Sequence, residues 1–231
     1  ILAILLCISL ISVLLVGCGD SKETDTESGK TGSEQDADNK GDAEGAGGLE
    51  DKKFAIIVKN AGNPNMGKQI EGFKEVIEAA GATCIAKEPE KATAEDQIAM
   101  INELVAQKVD AIAIAGNDVD ALQPALQKAM DEGIQVLSFD SGVNPDSRMV
   151  HVNQTSTELV GITLMEAVLD ISGGEGQFAI LSATSQATNQ NAWIEAMQKE
   201  MDSDDKYAGL ELVEIVYGDD EYQKSVDQTQ A

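Results

Sequence analysis

The sequence is poor in the side chains that enzymes use for metal and nucleophilic chemistry. Its 231 residues include one histidine, His151, and three cysteines. There is no Gly-x-Ser-x-Gly nucleophile motif, no Gly-x-x-x-x-Gly-Lys-Ser/Thr phosphate loop and no histidine pair that could ligate zinc. These absences favour binding over catalysis. We therefore expect no catalytic residue, no metal site, no cofactor, and a structural role for His151.

Basic residues are also scarce. The chain has 16 Lys and Arg against 41 Asp and Glu, which gives a formal net charge of -25. Nucleic-acid binding requires Lys and Arg to neutralise phosphates, so this balance excludes nucleic acid as a partner. An acidic surface is typical of an exported, soluble body, and we expect a monomer.

The amino-terminal segment predicts a lipoprotein signal. Residues 1–16 are uncharged, and they are too short to cross a bilayer of about 30 Å comfortably as a helix of ~20 residues. The small Gly17 precedes Cys18, so we interpret residues 1–17 as a signal peptide and Cys18 as the acylated first residue of the mature protein. The alternative is a signal anchor or an ordinary secretory signal. Because no methionine or basic residue precedes the run, we expect the natural start to lie upstream.

The remaining cysteines agree with that interpretation. Cys7 would leave with the signal and Cys18 would carry lipid, so Cys84 alone remains and no intrachain disulfide is possible. Cys84 lies in an apolar run and is predicted to be a small core residue.

Residues 18–50 are predicted to form an acidic, disordered tether. They carry many Asp, Glu, Ser, Thr and Gly residues and almost no apolar side chain larger than Ala, so they cannot build a core. The alternative is a tail that binds a specific partner.

Residues 51–153 are predicted to form a first α/β lobe. Short apolar runs suited to buried strands alternate with amphipathic helical patterns, which indicates a parallel, doubly wound sheet. Asn117 or Asp118 is the candidate N-cap of the third helix. The predicted strands are residues 54–58, 83–86, 111–115 and 135–139, and the helices begin near residues 63, 94 and 118.

Residues 154–231 are predicted to form part of a second α/β lobe, after a short strand at residues 149–152. A helix at 158–171, a strand at 177–181, a polar loop at 182–190, a helix at 191–201, a strand at 210–217 and a helical start from 219 follow in order. We expect the natural chain to continue beyond this point.

Polar side chains collect at the ends of the predicted strands of the first lobe. The carboxyl ends of parallel strands border the crevice in which ligands bind, so these residues are candidate ligand contacts. Helix capping is the alternative for Asn117, Asp118 and Ser141. The candidates at these strand ends are Lys59, Asn60, Asn117, Asp118, Asp140 and Ser141.

Four segments together resemble the type I periplasmic binding proteins, in the branch of the autoinducer-2 receptor and the rhamnose-binding protein of ABC transporters. They are residues 58–64, 136–141, 152–154 and 188–193. The resemblance implies two α/β lobes joined by three strands that close like a hinge on ligand. The first crossover would lie near residues 152–155. Two later crossovers and the segment that completes the first lobe would lie beyond this chain.

The resemblance also implies a ligand site shared by both lobes. Lys59 and Asp140 match first-lobe contacts of the autoinducer-2 receptor, and Asn189 with Gln190 match its second-lobe contacts. The receptor pattern has an acid where this chain has Asn189. An amide both donates and accepts hydrogen bonds, as the hydroxyls of a neutral sugar require. Phe139 and Trp193 are candidates to stack on a sugar face, with a core position as the alternative for Trp193.

The function implied is a lipid-anchored extracytoplasmic receptor that captures a small sugar, rhamnose before autoinducer-2, and delivers it to the permease of an ABC importer. The alternatives are an autoinducer-2 receptor for uptake or quorum sensing, a sensor that presents ligand to a chemoreceptor or kinase, and an enzyme on this scaffold. A lipid anchor places the protein at the cell membrane, on a Gram-positive surface in preference to a Gram-negative periplasm.

Overall fold

The structure is a computed structural model that describes residues 48–231. The predicted signal peptide, Cys18 and most of the predicted tether lie outside this range. Within residues 48–231 the seven strands are β1 (Lys53–Ile57), β2 (Thr83–Lys87), β3 (Ala111–Ile114), β4 (Gln135–Phe139), β5 (Val150–Val152), β6 (Gly176–Ser182) and β7 (Leu210–Tyr217). The six α-helices of this described part are α1 (Pro64–Ala79), α2 (Ala94–Ala106), α3 (Gln123–Asp131), α4 (Thr157–Ser172), α5 (Thr188–Ser203) and α6 (Tyr222–Gln230).

The first five strands form one parallel sheet in the order β2-β1-β3-β4-β5. Its central strands are apolar on both faces because helices cover both sides. On one face Ala55, Ile57 and Ile112 pack with α2 and α3. On the other face Ile56 and Val58 pack with α1. The parallel, doubly wound arrangement expected from the sequence is confirmed.

A second parallel sheet contains β6 and β7, with an irregularity in register between Phe178 and Ala179. Met165 of α4, Met197 of α5 and Tyr207 form the buried cluster beneath it. Both sheets therefore direct the carboxyl ends of parallel strands toward loops that can carry a site.

Local sequence accounts for where most helices begin and end. Asn63 caps α1, and its side-chain oxygen accepts the Asn65 N–H, with Pro64 at the first helical position. Thr93 caps α2 and Ser156 caps α4 in the same way. Gly173 ends α4 in a left-handed conformation that glycine adopts without steric cost.

Two local predictions are wrong. Neither Asn117 nor Asp118 caps α3, because that helix begins at Gln123 after Leu122, which makes no side-chain capping bond. The predicted loop before residue 191 is shorter than expected, because α5 already begins at Thr188. The first turn of α5 carries mostly polar side chains, so the apolar pattern that predicts a helix begins only near Trp193 and Ile194.

Cys84 is half-buried rather than enclosed in the core, and it has no disulfide partner among residues 48–231. Partial burial raises the pKa of its thiol, so the neutral form is favoured. None of the helices between residues 48 and 231 is long and apolar enough to cross a bilayer.

Gly161 allows α4 to approach α5 closely. A β-carbon added there would lie 2.5 Å from the Ala196 β-carbon and 2.8 Å from the Met197 backbone nitrogen. We expect Gly161→Ala to lower the free energy of unfolding by about 1–3 kcal/mol, because the helices must move apart. Denaturant unfolding measures this loss. Gly72→Ala is the control: its β-carbon meets nothing within 4 Å, so better helix propensity should stabilise the protein by up to about 1 kcal/mol.

Candidate functional site

A polar cleft lies where the carboxyl ends of the two sheets face each other. It encloses about 180 Å³, and its walls come from both halves of the fold. Drug-sized ligands occupy pockets of roughly 300–1,000 Å³, so this cleft suits a smaller molecule. The lining residues are Lys59, Asn63, Asn65, Met66, Asp140, Asn189, Gln190, Trp193 and Asp220.

Lys59 places a buried ammonium group in the cleft. It follows Val58 directly and is 3% exposed. Its Nζ donates to the Ser141 hydroxyl at 3.2 Å, and no carboxylate oxygen of residues 48–231 lies within 4.0 Å of it. Burial lowers the pKa of Lys59, although the charges of Asp220 and Asp140 oppose that shift. An ammonium has three donors, so two remain for a ligand.

Asp140 follows β4 directly, and its backbone lies in the left-handed region, at φ 53°. Its Oδ1 accepts a hydrogen bond from Gln154 Nε2 at 3.2 Å. Burial raises the pKa of Asp140 and Asp220 adds to the rise, whereas Lys59, Asn189 and Gln154 oppose it. The site therefore holds a half-buried carboxylate acceptor. The favourable interactions of its ionised form do not fully offset the cost of burying the charge.

Asn189 and Gln190 lie in the first turn of α5 and bring amides to the opposite wall. Gln190 is oriented by the end of β6, because its Oε1 accepts from the Ser182 hydroxyl at 2.9 Å and from the Ala183 N–H at 2.8 Å. Asn189 Oδ1 accepts from the Gln190 N–H at 2.8 Å. The Gln190 Nε2 group has no hydrogen-bond partner within residues 48–231, which leaves a donor available to a ligand.

Four of the six candidates at the strand ends of the first sheet do not line the cleft: Asn60, Asn117, Asp118 and Ser141. Asn60 is buried beside it, and its Nδ2 donates to the Asp220 carbonyl oxygen at 3.4 Å, across the two halves. Asp118 accepts from the N–H groups of Asp120 and Ala121 at 2.9 and 2.8 Å, so its carboxylate stabilises a turn. The carboxyl end of β3 therefore contributes turn and core contacts instead of a cleft wall.

Sequence reasoning missed Asp220. It lies just beyond β7 in a left-handed conformation, at φ 58°, and lines the cleft from the second sheet. The signal was present, because the strand-end argument applied to the first sheet selects Asp219 and Asp220 equally well in the second. Trp193 lines the cleft, whereas Phe139 packs against the core cluster of Ile56 and Val58.

A larger cavity, of about 590 Å³, lies at the opposite, amino-terminal edge of the first sheet. Two of its polar residues, Lys52 and Asp110, form an ion pair: Asp110 accepts from Lys52 Nζ at 2.7 Å and also from the Lys53 N–H at 2.8 Å. It lacks convergent buried polar groups, so the smaller cleft is the better candidate site. No cluster of three or more His, Cys, Asp or Glu suited to a metal occurs in the part of the chain that the structure describes.

The parallel α/β units, with a polar cleft at their strand ends, have the fold of the type I periplasmic binding proteins. A family model for periplasmic binding protein domains matches residues 54–231, and the chain belongs to this family. The family is one of binding proteins, as the residue content led us to expect.

Solved structures with this fold include sugar-binding members. An ABC transporter solute-binding protein from Clostridium phytofermentas with bound L-rhamnose is 57% identical, with a TM-score of 0.76, and the match covers 78% of this chain and 56% of that one. LsrB from Clostridium saccharobutylicum in complex with AI-2 is 25% identical, with a TM-score of 0.70 and coverage of 76% and 56%.

A curated relative is more distant. The D-ribose/D-allose-binding protein of Pseudomonas aeruginosa is 28% identical over 137 residues, which are 55% of this chain and 40% of that protein. The chain thus spans between two fifths and three fifths of the length of the relatives named here.

Proposed function

We propose that the protein is an extracytoplasmic receptor that captures a small neutral sugar, with L-rhamnose as the first candidate, and delivers it to an ABC importer. The observation that carries this proposal is the cleft itself, in which Lys59 and Asp140, at strand ends of the first sheet, face Asn189 and Gln190 of α5. The likeness to the rhamnose-bound solute-binding protein supports the choice of sugar.

The chemistry of the cleft suits hydroxyl groups. Each sugar hydroxyl donates one hydrogen bond and accepts others, and the cleft offers ammonium and amide donors beside carboxylate and amide acceptors. Charged partners such as Lys59 and Asp140 strengthen these bonds to roughly 1.5–3 kcal/mol each. Trp193 adds an aromatic surface, and such surfaces suit the apolar faces of sugar rings. Asn189 favours a neutral ligand because it contributes no charge.

Hinge closure follows from the division of the site between two halves. A ligand that contacts both halves favours the conformation in which they are close, by the difference in its affinity for the two states. Few direct hydrogen bonds join the two halves within residues 48–231. Among them, Thr188 Oγ1 donates to the Gly142 carbonyl oxygen at 3.2 Å, and Asn60 Nδ2 donates to the Asp220 carbonyl oxygen at 3.4 Å. Burying the charges of Lys59 and Asp140 without a ligand disfavours the closed conformation. We therefore expect ligand binding to supply most of the free energy of closure.

The proposed location is the outer face of the cell membrane. Acylation at Cys18 would anchor the protein by lipid, and residues 18–50 would serve as the tether between the anchor and the lobe at 51–153. A Gram-positive surface is the favoured setting, because a secreted receptor there has no outer membrane to retain it. The closed monomeric body would then dock on the permease.

Ligand-dependent thermal stability tests the sugar assignment. We expect L-rhamnose to raise the melting temperature of the full-length protein, because a ligand at 100 times its Kd adds about 2.7 kcal/mol of stability. The panel should include D-ribose, D-arabinose and autoinducer-2 with and without borate. A shift with none of these ligands would contradict the proposal.

Autoinducer-2 is the second candidate, supported by the likeness to LsrB. Stabilisation by autoinducer-2 alone would make the protein a signal receptor and would show that an acid in place of Asn189 is dispensable. Loss of sugar uptake after deletion of the neighbouring permease would support transport, whereas unchanged uptake would favour a sensor that presents ligand to a chemoreceptor or kinase.

A further inference from the structure

Gln97 is a fully buried amide that joins the carboxyl ends of two strands. It lies on α2 and is 0% exposed. Its Nε2 donates to the carbonyl oxygens of Val58 at 3.0 Å and Ala115 at 2.7 Å, the residues that follow β1 and β3. Its Oε1 accepts from the Asn117 N–H at 2.9 Å. One side chain thus satisfies three backbone groups just behind the cleft.

Asn117 extends this network to Lys59. It is 3% exposed, and its Nδ2 donates to the backbone carbonyl oxygen of Lys59 at 2.9 Å and to that of Thr93 at 3.4 Å. Together, Gln97 and Asn117 therefore bond the carbonyl groups of the two consecutive residues Val58 and Lys59. Neither amide lines the cleft.

These bonds occur where the strand ladder ends. The last backbone bond that β1 makes to the β3 side is accepted by the Ile57 carbonyl, from the Ala115 N–H at 3.0 Å. Beyond Ile57, the side-chain amides of Gln97 and Asn117 donate hydrogen bonds to the carbonyl groups of Val58 and Lys59. The position of the Lys59 backbone, and hence the reach of its ammonium group, depends on two side chains from other elements.

We propose that Gln97 and Asn117 are positioning residues for ligand binding. They hold the backbone at Val58 and Lys59 so that the Lys59 ammonium stays beside Ser141 in the cleft. Without these bonds, hydration would favour a position of the ammonium outside the cleft. This proposal rests on the proposed function of the cleft, and it adds two residues to the site that contact no ligand.

The test combines affinity with the protonation of Lys59. In the full-length protein, Asn117→Ala and Gln97→Met should each weaken L-rhamnose binding about tenfold, as expected when a well-placed hydrogen bond is lost. NMR titration of the Lys59 side chain in the ligand-free protein should show its pKa moving up toward 10.5, the ordinary value, because a released ammonium gains water.

A double-mutant cycle separates positioning from general stability. In a Lys59→Met background, Asn117→Ala should cause little further loss of affinity, because it acts through Lys59. Ser147→Ala is the matched control: Ser147 is 0% exposed and its hydroxyl donates to the Asn144 carbonyl oxygen at 3.0 Å, away from the cleft. It should lower the melting temperature without changing affinity or the pKa of Lys59.

Two results would overturn the proposal: an unchanged Lys59 pKa in both variants, or equal losses of affinity for Asn117→Ala in the presence and absence of Lys59. If Gln97→Met fails to fold, Asn117→Ala carries the test, because it removes only two donated bonds. If the wild-type protein binds no sugar, the proposed function fails, and the Lys59 titration still decides whether the two amides position the ammonium.

Discussion

Lys59→Met should stabilise the ligand-free protein and abolish most of its affinity for sugar. Methionine fills similar volume without charge, so the cost of burying an ammonium with no carboxylate within 4.0 Å in residues 48–231 disappears. We expect a gain in the free energy of unfolding on the order of 1–4 kcal/mol. Affinity should fall about 100-fold, since charge-assisted donors to the ligand are lost.

The gain in stability from Lys59→Met should depend on pH. The folded protein lowers the pKa of Lys59 below its ordinary 10.5, so the wild-type penalty is fully present below the folded pKa and fades as pH rises toward 10.5. Denaturant unfolding of both proteins over this range measures the difference. Lys68→Met is the control, because Lys68 is an exposed lysine in an ion pair with Glu71, and it should change stability by at most about 0.5 kcal/mol. A gain independent of pH would contradict the electrostatic explanation.

Asp140→Asn should weaken sugar binding by about 10- to 100-fold, since a carboxylate acceptor is replaced by a neutral amide and charge-assisted bonds contribute roughly 1.5–3 kcal/mol. Asparagine is the informative substitution because it tolerates the left-handed backbone at φ 53°. Alanine would add backbone strain to the lost contact. Isothermal titration with L-rhamnose measures the change.

The same substitution should stabilise the empty protein, and only at higher pH. Folding raises the pKa of Asp140 above its ordinary 3.8. Burial of this carboxyl group therefore costs the wild-type protein no stability well below pH 3.8, and the cost grows as pH rises from 3.8 to the folded pKa. The advantage of Asp140→Asn should therefore appear over that interval and persist at neutral pH. Asp118→Asn is the control, because its carboxylate bonds only a local turn. A large effect of Asp118→Asn on affinity would show that Asp118 contributes to ligand binding.

Most of the fold could be predicted because buried parallel strands leave a strong pattern. The bounds of β4 and β7 agree with the prediction. Asp140 marks the end of β4, and Gly209 and Gly218 flank β7. The start of α5 could not be predicted, because its first turn carries the polar side chains of Asn189 and Gln190, which line the cleft and interrupt the apolar helical pattern.

The site was predictable only to the level of strand ends. Lys59 and Asp140 follow apolar runs and line the cleft, but the same argument also selected four residues that do not line it: Asn60, Asn117, Asp118 and Ser141. Which strand-end residues reach the cleft depends on backbone turns and on neighbouring helices, which a single sequence does not specify. The role of Gln97 was hidden for the same reason, because its partners lie 18 to 39 residues away in the chain.

The left-handed backbone at Asp140 and Asp220 limits which side chains these two positions of the cleft can carry, and hence how the proposed ligand site can change. At φ 53° and 58°, only Gly, Asn and Asp are readily accepted. A saturation library at these two positions should thus return mainly those three residues, which alter charge but add no bulk. Adaptation to a larger or smaller sugar would have to proceed through helical residues such as Trp193 and Asn189, whose backbone accepts almost any side chain.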